Sequence, residues 1–477
     1  MSILDNEIAR AAEAVRTAKS AIVVTHIDAD GICAGAIASR TLEALSVPYE
    51  IRFLKKLDEP AAAALRAEKR LIWLTDLGSG QLPMLKGLDA IITDHHVPSA
   101  GGEPTAAQRM DLTRLAEALD VIDSTIPQVN PHLIGLDGGR ELSGAGAAYL
   151  VAKSIDPRNV MLSPIAIIGA VGDLQDRSTG KLGGLNAGIL EDARKTGLVE
   201  AMEDISFFGR ETRPAYKMLQ YQSDPKLPGL ANDEEACIRF MIDAKIKLRD
   251  GENWRRWIDL NRGERMRIIQ RLEALLAKHD QPSKLTSEVY ILTEEEPGTP
   301  LHDAKEFATL LNSCGRYEKG DIGLGVAMGD RGKILQEAYG LQQGHRRNLV
   351  DCLQVVRDVG INGMDGLQYF DAGDRIMDSV VGTVAGMALN SDGARRDVPI
   401  FGLARADDGV KVSARGTREM VARGLDLSAI MKAASERVGG FGGGHNIAAG
   451  ATVPAGREME FLGIASELVR KQLGAGS

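Results

Sequence analysis

Short apolar runs alternate with helical patterns over the first 200 residues of the chain. Three of these runs, Ala21–Thr25, Arg70–Thr75 and Asp89–Thr93, are rich in β-branched residues and show no polar face. Continuous apolar strands separated by helices predict a parallel sheet that is covered on both sides. The segment before the first strand has amphipathic spacing, which predicts a helix at the start of the chain.

The pattern changes between residues 200 and 285. Strand signals disappear, charge increases, and Ile269, Leu272 and Leu276 follow helical spacing, which predicts a helical insert. Strand signals then return in EVYILT, GLGVAMG, VPIFGLA and GVKVSA, and they alternate with helical segments such as LSAIMKAASERV. The sequence therefore predicts an α/β protein in three parts, at residues 1–199, 200–285 and 286–477.

The composition indicates a globular protein of a reducing compartment. Hydrophobic residues make up 44% and charged residues 26% of the chain. No apolar run reaches the roughly 18–20 residues of a membrane span, and the first residues carry acidic groups where a signal peptide is basic. The four cysteines are scattered, which argues against disulfides and against a thiolate zinc site. We therefore expect a cytoplasmic protein without a membrane partner.

Net charge limits how this protein could hold nucleic acid. The formal charge is −9 and aromatic residues make up 4% of the chain. These values argue against a broad basic surface and against extended base-stacking platforms. A narrow channel that ends at metal ions remains compatible with them.

Polar clusters follow all three predicted strands. The segments HIDADG, DLGSG and DHHVPS come directly after the apolar runs. In open α/β sheets the ligand crevice lies beyond the carboxyl ends of the strands. The sequence therefore predicts that carboxylates and imidazoles from three strand ends meet in one crevice.

The first cluster places His26, Asp28 and Asp30 on the same side of an extended segment. An imidazole and two carboxylates that lie so close together favour a bound cation. The alternative is a solvated loop, or a helix N-cap at Asp28. Asp76 is a single acid at the second strand end, where an N-cap is again the alternative.

The third cluster, Asp94-His95-His96, contains two adjacent histidines of the eight in the chain. Imidazoles combined with carboxylates suit Mn²⁺ or similar ions better than Ca²⁺. A further acid, Asp173, ends the apolar run IAIIGAVG, and we favour it over Asp176 as a site residue. A surface histidine pair and a turn aspartate are the alternatives.

These motifs resemble those of a known family. HIDADG, TDLG, TDHH and GDLQD resemble motifs I to IV of the DHH phosphoesterases, and GGFGGGHNIAAGA resembles the GGGH motif of the DHHA1 domain. FFGRETRP and LLNSCGR further resemble archaeal RecJ-like proteins, including the nuclease associated with the GINS replication complex. The resemblance implies a parallel-sheet DHH domain, a helical insert and a smaller α/β DHHA1 domain, with the active site in the cleft between the domains.

The resemblance also implies roles for individual residues. It implies two divalent ions, Mn²⁺ or else Mg²⁺, one on His26, Asp28 and Asp76 and one on Asp30, Asp76, His95 and Asp173. The implied catalytic residues are Asp28, Asp30, Asp76, His95, His96 and Asp173. Asp94 would orient a neighbouring ligand. The substrate phosphate would contact His96, Arg415, Gly443, Gly444 and His445, with help from Ser413 and Thr417, and the Gly-rich segment is expected to be a loop.

By this resemblance the chain is an exonuclease that hydrolyses single-stranded DNA in the 5′→3′ direction, in replication or repair. One alternative is a 3′→5′ exonuclease of single-stranded RNA or DNA, or a phosphodiesterase of short oligonucleotides. Another is an interaction protein that joins GINS to the replicative helicase. In the insert, the arginines around Trp254 and Trp257 could guide a single strand, or the tryptophans could be core residues with arginines on a solvated face. Bacterial RecJ has an OB-fold after its second domain, and we expect the insert and the cleft to replace it here.

Overall fold

A computed structural model describes residues 2–98, 125–222, 224–279, 284–391 and 393–474 of the chain. The chain forms two compact units, Met1–Tyr339 and Gly340–Ser477. Each unit is described by itself below.

The first unit contains a sheet of parallel strands in the order β2-β1-β3-β4-β5. The strands are β1 (Ala21–His26), β2 (Tyr49–Leu54), β3 (Leu71–Thr75), β4 (Ala90–Thr93) and β5 (Gln128–Val129). Every residue of β3 and β4 is buried, as expected for strands covered on both faces. The three predicted strands and their parallel arrangement are thus confirmed.

Helices cover this sheet. They are α1 (Ile3–Thr17), α2 (Ala29–Ala44), α3 (Glu59–Arg66), α4 (Gly144–Ile155), α5 (Ser163–Gly172) and α6 (Gly184–Lys195), with 3₁₀ segments at Ser79–Leu85, Pro131–Ile134 and Pro157–Leu162. Helix α1 confirms the predicted amphipathic helix, and Ser2 caps it by accepting a hydrogen bond from the Asp5 N–H. Helices α2, α4 and α5 pack against one another beside the carboxyl ends of the strands.

The predicted insert is largely helical, but strands frame it. Strand β6 (Val199–Ile205) pairs antiparallel with β9 (Thr286–Leu292). Between them lie α7 (Ala215–Gln220), α8 (Glu234–Asp243), the short strands β7 (Arg249–Asp250) and β8 (Asn253–Trp254), a 3₁₀ turn at Trp257–Asp259, and α9 (Arg262–Lys278). Strand β6 is absent from the elements predicted from sequence, and β9 is predicted there as part of the second α/β domain. The pairing of β9 with β6 places it in the first unit.

Three helices follow: α10 (Ala304–Arg316), α11 (Gly320–Ala327) and α12 (Lys333–Val359). The predicted strand GLGVAMG is wrong, because these residues belong mainly to helix α11, which packs against α2 and α10. A short apolar run does not by itself distinguish a strand from a buried helix. Residues 286–339 pack within the first unit, so the compact second unit begins later than the predicted boundary at residue 286.

The second unit is built on a mixed sheet with strand order β10-β11-β12-β13-β15-β14. Its strands are β10 (Asn362–Gly363), β11 (Gln368–Asp371), β12 (Ile400–Ala406), β13 (Gly409–Arg415), β14 (Phe441–Gly444) and β15 (Ala448–Val453). Its helices are α13 (Asp378–Leu389), α14 (Arg418–Ala422), α15 (Leu427–Arg437) and α16 (Glu458–Gly474). Helix α13 packs on one face, and α15 and α16 share a hydrophobic core with the other.

Two further findings concern the predictions about membrane spans and cysteines. Within the described ranges, every helix is too short or too polar to cross a membrane. All four cysteines are buried and free.

A buried ionic network joins the insert to α10. The Arg210 guanidinium donates hydrogen bonds of 2.8 Å to Asp204 in β6 and to Asp303 at the N-cap of α10. The Arg265 guanidinium and the Trp257 indole N–H also donate to Asp204. Because Arg210 is 2% exposed, its removal would leave two carboxylates with a buried charge that is no longer compensated.

We expect Arg210→Ala to lower the free energy of unfolding by about 3–5 kcal/mol, the usual cost of breaking a buried ion pair. Chemical denaturation followed by circular dichroism measures this change. Arg158→Ala is the matched control, because the side chain of Arg158 is 90% exposed in its pair with Asp156, and we expect no measurable change. Equal stability of the two variants would contradict a structural role for the network.

Candidate metal centre

The predicted site residues lie together at one edge of the parallel sheet. His26 ends β1, Asp76 follows β3, and Asp94 and His95 follow β4. These three strands are adjacent and parallel, so their carboxyl ends meet. The predicted convergence in one crevice is therefore what the structure shows.

The first group of side chains is His26, Asp28 and Asp76. His26 Nδ1 lies 3.0 Å from Asp28 Oδ2 and 3.5 Å from Asp76 Oδ2. Asp28 also caps helix α2, because its Oδ1 accepts a hydrogen bond from the Gly31 N–H at 3.0 Å. Asp28 is therefore a helix cap through one carboxylate oxygen, while its other oxygen faces His26.

The second group surrounds His95. Its Nε2 lies 3.1 Å from Asp173 Oδ2, 3.2 Å from Asp76 Oδ1 and 3.8 Å from Asp30 Oδ2. Asp76 thus faces His26 with one oxygen and His95 with the other. Asp173 ends helix α5, and Asp176 is absent from the candidate ligand groups among the described residues.

Backbone N–H groups hold the buried carboxylates. Asp30 accepts hydrogen bonds from the N–H groups of Gly144 at 2.6 Å and Ala145 at 3.0 Å, at the start of α4. Asp94 accepts from the N–H groups of Ser79 and His95. These contacts leave the carboxylates little freedom to move apart.

His96 occupies the rim of the centre. Its Nδ1 lies 2.8 Å from Asp94 Oδ1, and its side chain is 58% exposed while that of Asp94 is fully buried. Asp94 therefore contacts His96 and backbone N–H groups, and among the described residues it is absent from the candidate ligand groups, one of which includes His96.

A chain of contacts that the sequence analysis missed orients His95. Its Nδ1 lies 2.8 Å from the carbonyl oxygen of Gly138, and Gln175 Nε2 donates to the same oxygen at 2.8 Å. Asn186 in turn donates to Gln175 Oε1. With Nδ1 held by a carbonyl, His95 presents Nε2 to the carboxylates, as in many metal sites. Gln175 lies in the motif GDLQD, but its partner Gly138 is distant in sequence.

The charges of the cluster shift the pKa values of its members. Burial, and then the negative charges of Asp76 and Asp173, raise the pKa of Asp30. Burial would lower the pKa of His26, but Asp28 and Asp76 outweigh it and raise the pKa. Carboxylates that share a buried space raise one another's pKa, because each negative charge disfavours ionisation of the next.

Several buried polar atoms of the cluster also lack hydrogen bonds. Asp76 Oδ1 and Oδ2, His26 Nδ1 and His95 Nε2 face one another or a neighbouring carboxylate at 3.0–3.5 Å, but without the geometry of a hydrogen bond. A buried polar atom without a partner costs free energy unless something else binds it. Imidazole nitrogens and carboxylate oxygens are a donor set that suits Mn²⁺. The residues present therefore fit divalent metal ions.

Close packing fixes the acids in place. A Cβ added at Gly144 would lie 2.7 Å from Asp76 Oδ1, and one at Gly169 would lie 2.4 Å from Asp30 Oδ1. Asp76 itself has φ +60°, a left-handed conformation that few non-glycine residues adopt. Its N–H donates to the Thr93 carbonyl at 2.8 Å, which ties this conformation to strand β4.

Helix α10, which contains the motif LLNSCGR, contacts the loop after β1. The motif does not by itself indicate this contact. Asn312 Oδ1 accepts a hydrogen bond from the Ala29 N–H at 3.0 Å. A Cβ at Gly315 would lie 1.9 Å from the Ile27 carbonyl oxygen, so glycine is required there. Arg316 follows directly and is largely buried, which lowers its pKa.

The residues predicted to bind phosphate in the second unit lie at one end of its sheet. Arg415 pairs with Ala448 across β13 and β15, and the His445 N–H donates to the Ala448 carbonyl at 2.8 Å. Thr417 caps helix α14 by accepting from the Met420 N–H. The Gly-rich segment is not simply a loop, because Phe441–Gly444 form strand β14, which pairs with β15.

The tryptophan and arginine cluster of the insert is mainly structural. Trp257 is fully buried, and its indole donates to Asp204. Arg255 pairs with Glu264 at 2.7 Å, and Arg249 lies over the Trp254 ring at 4.0 Å. The structure therefore supports the interpretation of Trp257 as a core residue rather than as a residue that guides a single nucleic-acid strand.

We expect Mn²⁺ to raise the melting temperature of the wild-type protein, because a ligand that binds only the folded state stabilises it, by about 2.7 kcal/mol at 100 times Kd. Asp76→Asn removes the carboxylate that both groups share and should abolish the rise. Asp89→Asn, an exposed acid just before β4 at the opposite end of the strand, should respond like wild type. Differential scanning fluorimetry with and without EDTA measures this, and an unchanged rise in Asp76→Asn would contradict the assignment.

We also expect Gly169→Ala to weaken Mn²⁺ binding about 10–100-fold, the usual effect of disturbing a group that supports metal ligands, because the added methyl group displaces Asp30. Gly188→Ala in α6 is the matched control, since its Cβ would meet no atom within 4 Å. Isothermal titration calorimetry measures both affinities. Wild-type affinity in Gly169→Ala would show that Asp30 is not a ligand.

Two family models match this chain. That of the DHH-CID domain matches residues 207–289, which cover most of the insert and strand β9 as far as Val289. That of the DHHA1 domain matches residues 367–471 in the second unit.

Related proteins match over much greater lengths. An uncharacterised protein of Methanocaldococcus jannaschii is 29% identical over 457 residues, which cover 94% of this chain and 93% of the relative. A manganese complex of RecJ from Thermus thermophilus has a TM-score of 0.58 at 16% identity and covers 99% of this chain. This chain spans 55% of the length of that RecJ.

Two further solved structures match end to end. An exonuclease RecJ bound to manganese has a TM-score of 0.55 at 15% identity, and the match covers 100% of this chain and 97% of that one. CDC45 from Entamoeba histolytica has a TM-score of 0.62 at 9% identity, with 98% of both chains covered. At these identities the likeness concerns the fold. The chain thus contains segments that match the DHH-CID and DHHA1 domain models, and its fold is similar to that of the RecJ structures.

Proposed function

We propose that this protein is a metal-dependent exonuclease that hydrolyses phosphodiester bonds of single-stranded DNA in the 5′→3′ direction, in DNA replication or repair. The observation that carries the proposal is the set of buried ligand atoms without hydrogen-bond partners on Asp76, His26 and His95. The matches to the DHH-CID and DHHA1 domain models support hydrolysis of a phosphate ester. The RecJ-like fold, shared with a protein described as an exonuclease, supports a nucleic-acid strand as substrate.

The cofactors of this proposal are two divalent ions, with Mn²⁺ preferred and Mg²⁺ as the alternative. His26, Asp28 and Asp76 would hold one ion, and Asp30, Asp76, His95 and Asp173 the other. Bound in this way, two divalent ions activate water for attack on phosphorus and offset the charge of the reacting phosphate.

The side chains of the chain itself position the substrate and its protons. Asp94 is the main cause of the raised pKa of His96, which favours the protonated imidazole at the rim. A protonated His96 can donate a hydrogen bond to a phosphate oxygen. Arg316 adds a positive charge on the helix that contacts the loop of His26 and Asp28.

In the second unit, Arg415 and His445 supply donors for a phosphate, together with the backbone N–H groups of Gly443 and Gly444. A Cβ at Gly443 would meet no atom within 4 Å, so the space beside this residue is open to a ligand. A guanidinium can bind two phosphate oxygens at once, which suits Arg415 to hold the strand.

A second candidate function belongs to a different class. The likeness in fold to CDC45 favours a protein that joins GINS to the replicative helicase. The two functions differ in what they require of the metal centre, because hydrolysis needs the ligands intact and an interaction role does not.

We expect the protein with Mn²⁺ to release mononucleotides from the 5′ end of end-labelled single-stranded DNA. Asp76→Asn and His95→Ala should lower the rate at least about 100-fold, because loss of a metal ligand removes the activated water. Denaturing gels of 5′- and 3′-labelled DNA and RNA measure rate, polarity and preference, with Asp89→Asn as the control of wild-type rate.

Each of the other possible results supports one of the alternative functions. Release from the 3′ end, or faster cleavage of RNA, supports the other exonuclease. Hydrolysis of dinucleotides alone supports a short-oligonucleotide phosphodiesterase. If the metal-loaded wild type hydrolyses none of these substrates, the proposed enzymatic function is contradicted and the interaction function remains.

A further inference from the structure

One face of the sheet in the second unit presents three rows of side chains across β14, β15 and β13. Residues directly opposite each other in antiparallel strands point to the same face, and every second residue continues it. The first row is His445, Ala448 and Arg415, the second is Gly443, Gly450 and Ser413, and the third is Phe441, Thr452 and Lys411. We call this surface the three-row face.

Contacts at neighbouring glycines confirm which side of the sheet this is. A Cβ at Gly382 in α13 would lie 3.2 Å from Ser413 Oγ and 2.5 Å from Arg415 Nη2. Helix α13 therefore borders the three-row face along β13. Lys411 Nζ would lie 3.4 Å from a Cβ at Gly450, so the lysine extends over the second row.

The β14 side of the face is open. A Cβ at Gly443 would meet no atom within 4 Å, whereas one at Gly442 would lie 2.8 Å from the Met431 carbonyl oxygen of α15 on the opposite face. Phe441 is 56% exposed on this edge strand. A large aromatic ring thus stands exposed at one end of the open strip, with the imidazole of His445 at the other.

Spacing relates the third row to the first. Two residues of a strand span about 6.6 Å, so Phe441 lies roughly 13 Å along the strands from His445. The Lys411 ammonium, which reaches over the second row, lies between the two. A phosphate held at the first row does not reach that distance by itself. A ligand that contacts both rows has to extend past the two nucleotides that adjoin this phosphate.

The chemistry of the third row matches such an extension. An aromatic ring binds any base by stacking, without regard to sequence, and an ammonium group binds the backbone phosphate. Gly443 in the second row leaves room for the backbone of a strand to pass close to the sheet. A surface that presents a cation, exposed backbone and an aromatic ring in turn is suited to bind a single nucleic-acid strand.

We propose that Phe441 stacks on a base beyond the dinucleotide whose linking phosphate contacts His445 and Arg415, and that Lys411 binds the phosphate that leads to this base. The third row thereby makes the protein prefer single-stranded chains over dinucleotides. This assignment rests on the proposed nuclease function and adds the determinant of substrate length.

The test compares kcat/KM for a single-stranded DNA oligonucleotide with that for a dinucleotide, both with Mn²⁺. Phe441→Ala should lower the value for the oligonucleotide at least about fivefold, the loss expected for one base stack, and leave that for the dinucleotide unchanged. Phe441→Tyr keeps the ring and should keep the wild-type ratio, while Phe441→Leu should behave like the alanine variant. Met459→Ala removes a side chain that is 59% exposed on α16 and is the control.

Lys411→Met should raise KM for the oligonucleotide and reduce the salt dependence of its binding, since one phosphate contact is lost. An equal loss on both substrates, or no loss on either, would overturn the proposal. Fluorescence anisotropy of a labelled oligonucleotide in EDTA tests the same contacts without hydrolysis. If the wild type binds but does not cleave, weaker binding of Phe441→Ala supports the strand surface while the proposed function fails, and unchanged binding overturns the surface.

Discussion

Repulsion among buried carboxylates is the constraint on which the rest of this structure depends. Asp28, Asp30, Asp76 and Asp173 surround two imidazoles, Asp30 and Asp76 are buried among them, and the pKa of Asp30 is raised as a result. The fold offsets part of this cost through helix N-termini. Asp28 caps α2, and Asp30 accepts two N–H groups at the start of α4, where the positive ends of the helix dipoles lie. Asp76 has no such partner, so its charge calls for a cation.

Strand order and local motif spacing explain which residues of the site could be predicted from sequence. His26, Asp76 and His95 follow apolar strands directly, and the parallel order of β1, β3 and β4 brings them together. Motifs that depend on local spacing and strand ends are visible in a single sequence. The partner of His95 Nδ1, Gly138, is 43 residues away, and nothing in its local pattern marks it. Gln175 lies in a recognised motif, but its role depends on that same distant carbonyl.

The errors in the predicted fold have a similar origin. Helix α11 was expected to be a strand because a run of small and apolar residues carries no clear period, and its packing against α2 decides the outcome. Strand β9 was recognised, but its pairing with β6, across the whole insert, was not. The Gly-rich segment was expected to be a loop, and pairing with β15 makes much of it a strand whose two faces differ. Gly442 is packed against α15, while Gly443 faces open space.

The most direct test of the metal centre is a crystal structure of the protein grown with Mn²⁺, with anomalous differences recorded at the manganese edge. We expect two peaks about 3.5–4 Å apart, the separation usual for a two-metal site. One should lie between His26 and Asp28 and the other beside His95 and Asp173, with Asp76 touching both. A single peak, no peak, or two peaks that Asp76 does not bridge would contradict the two-metal account.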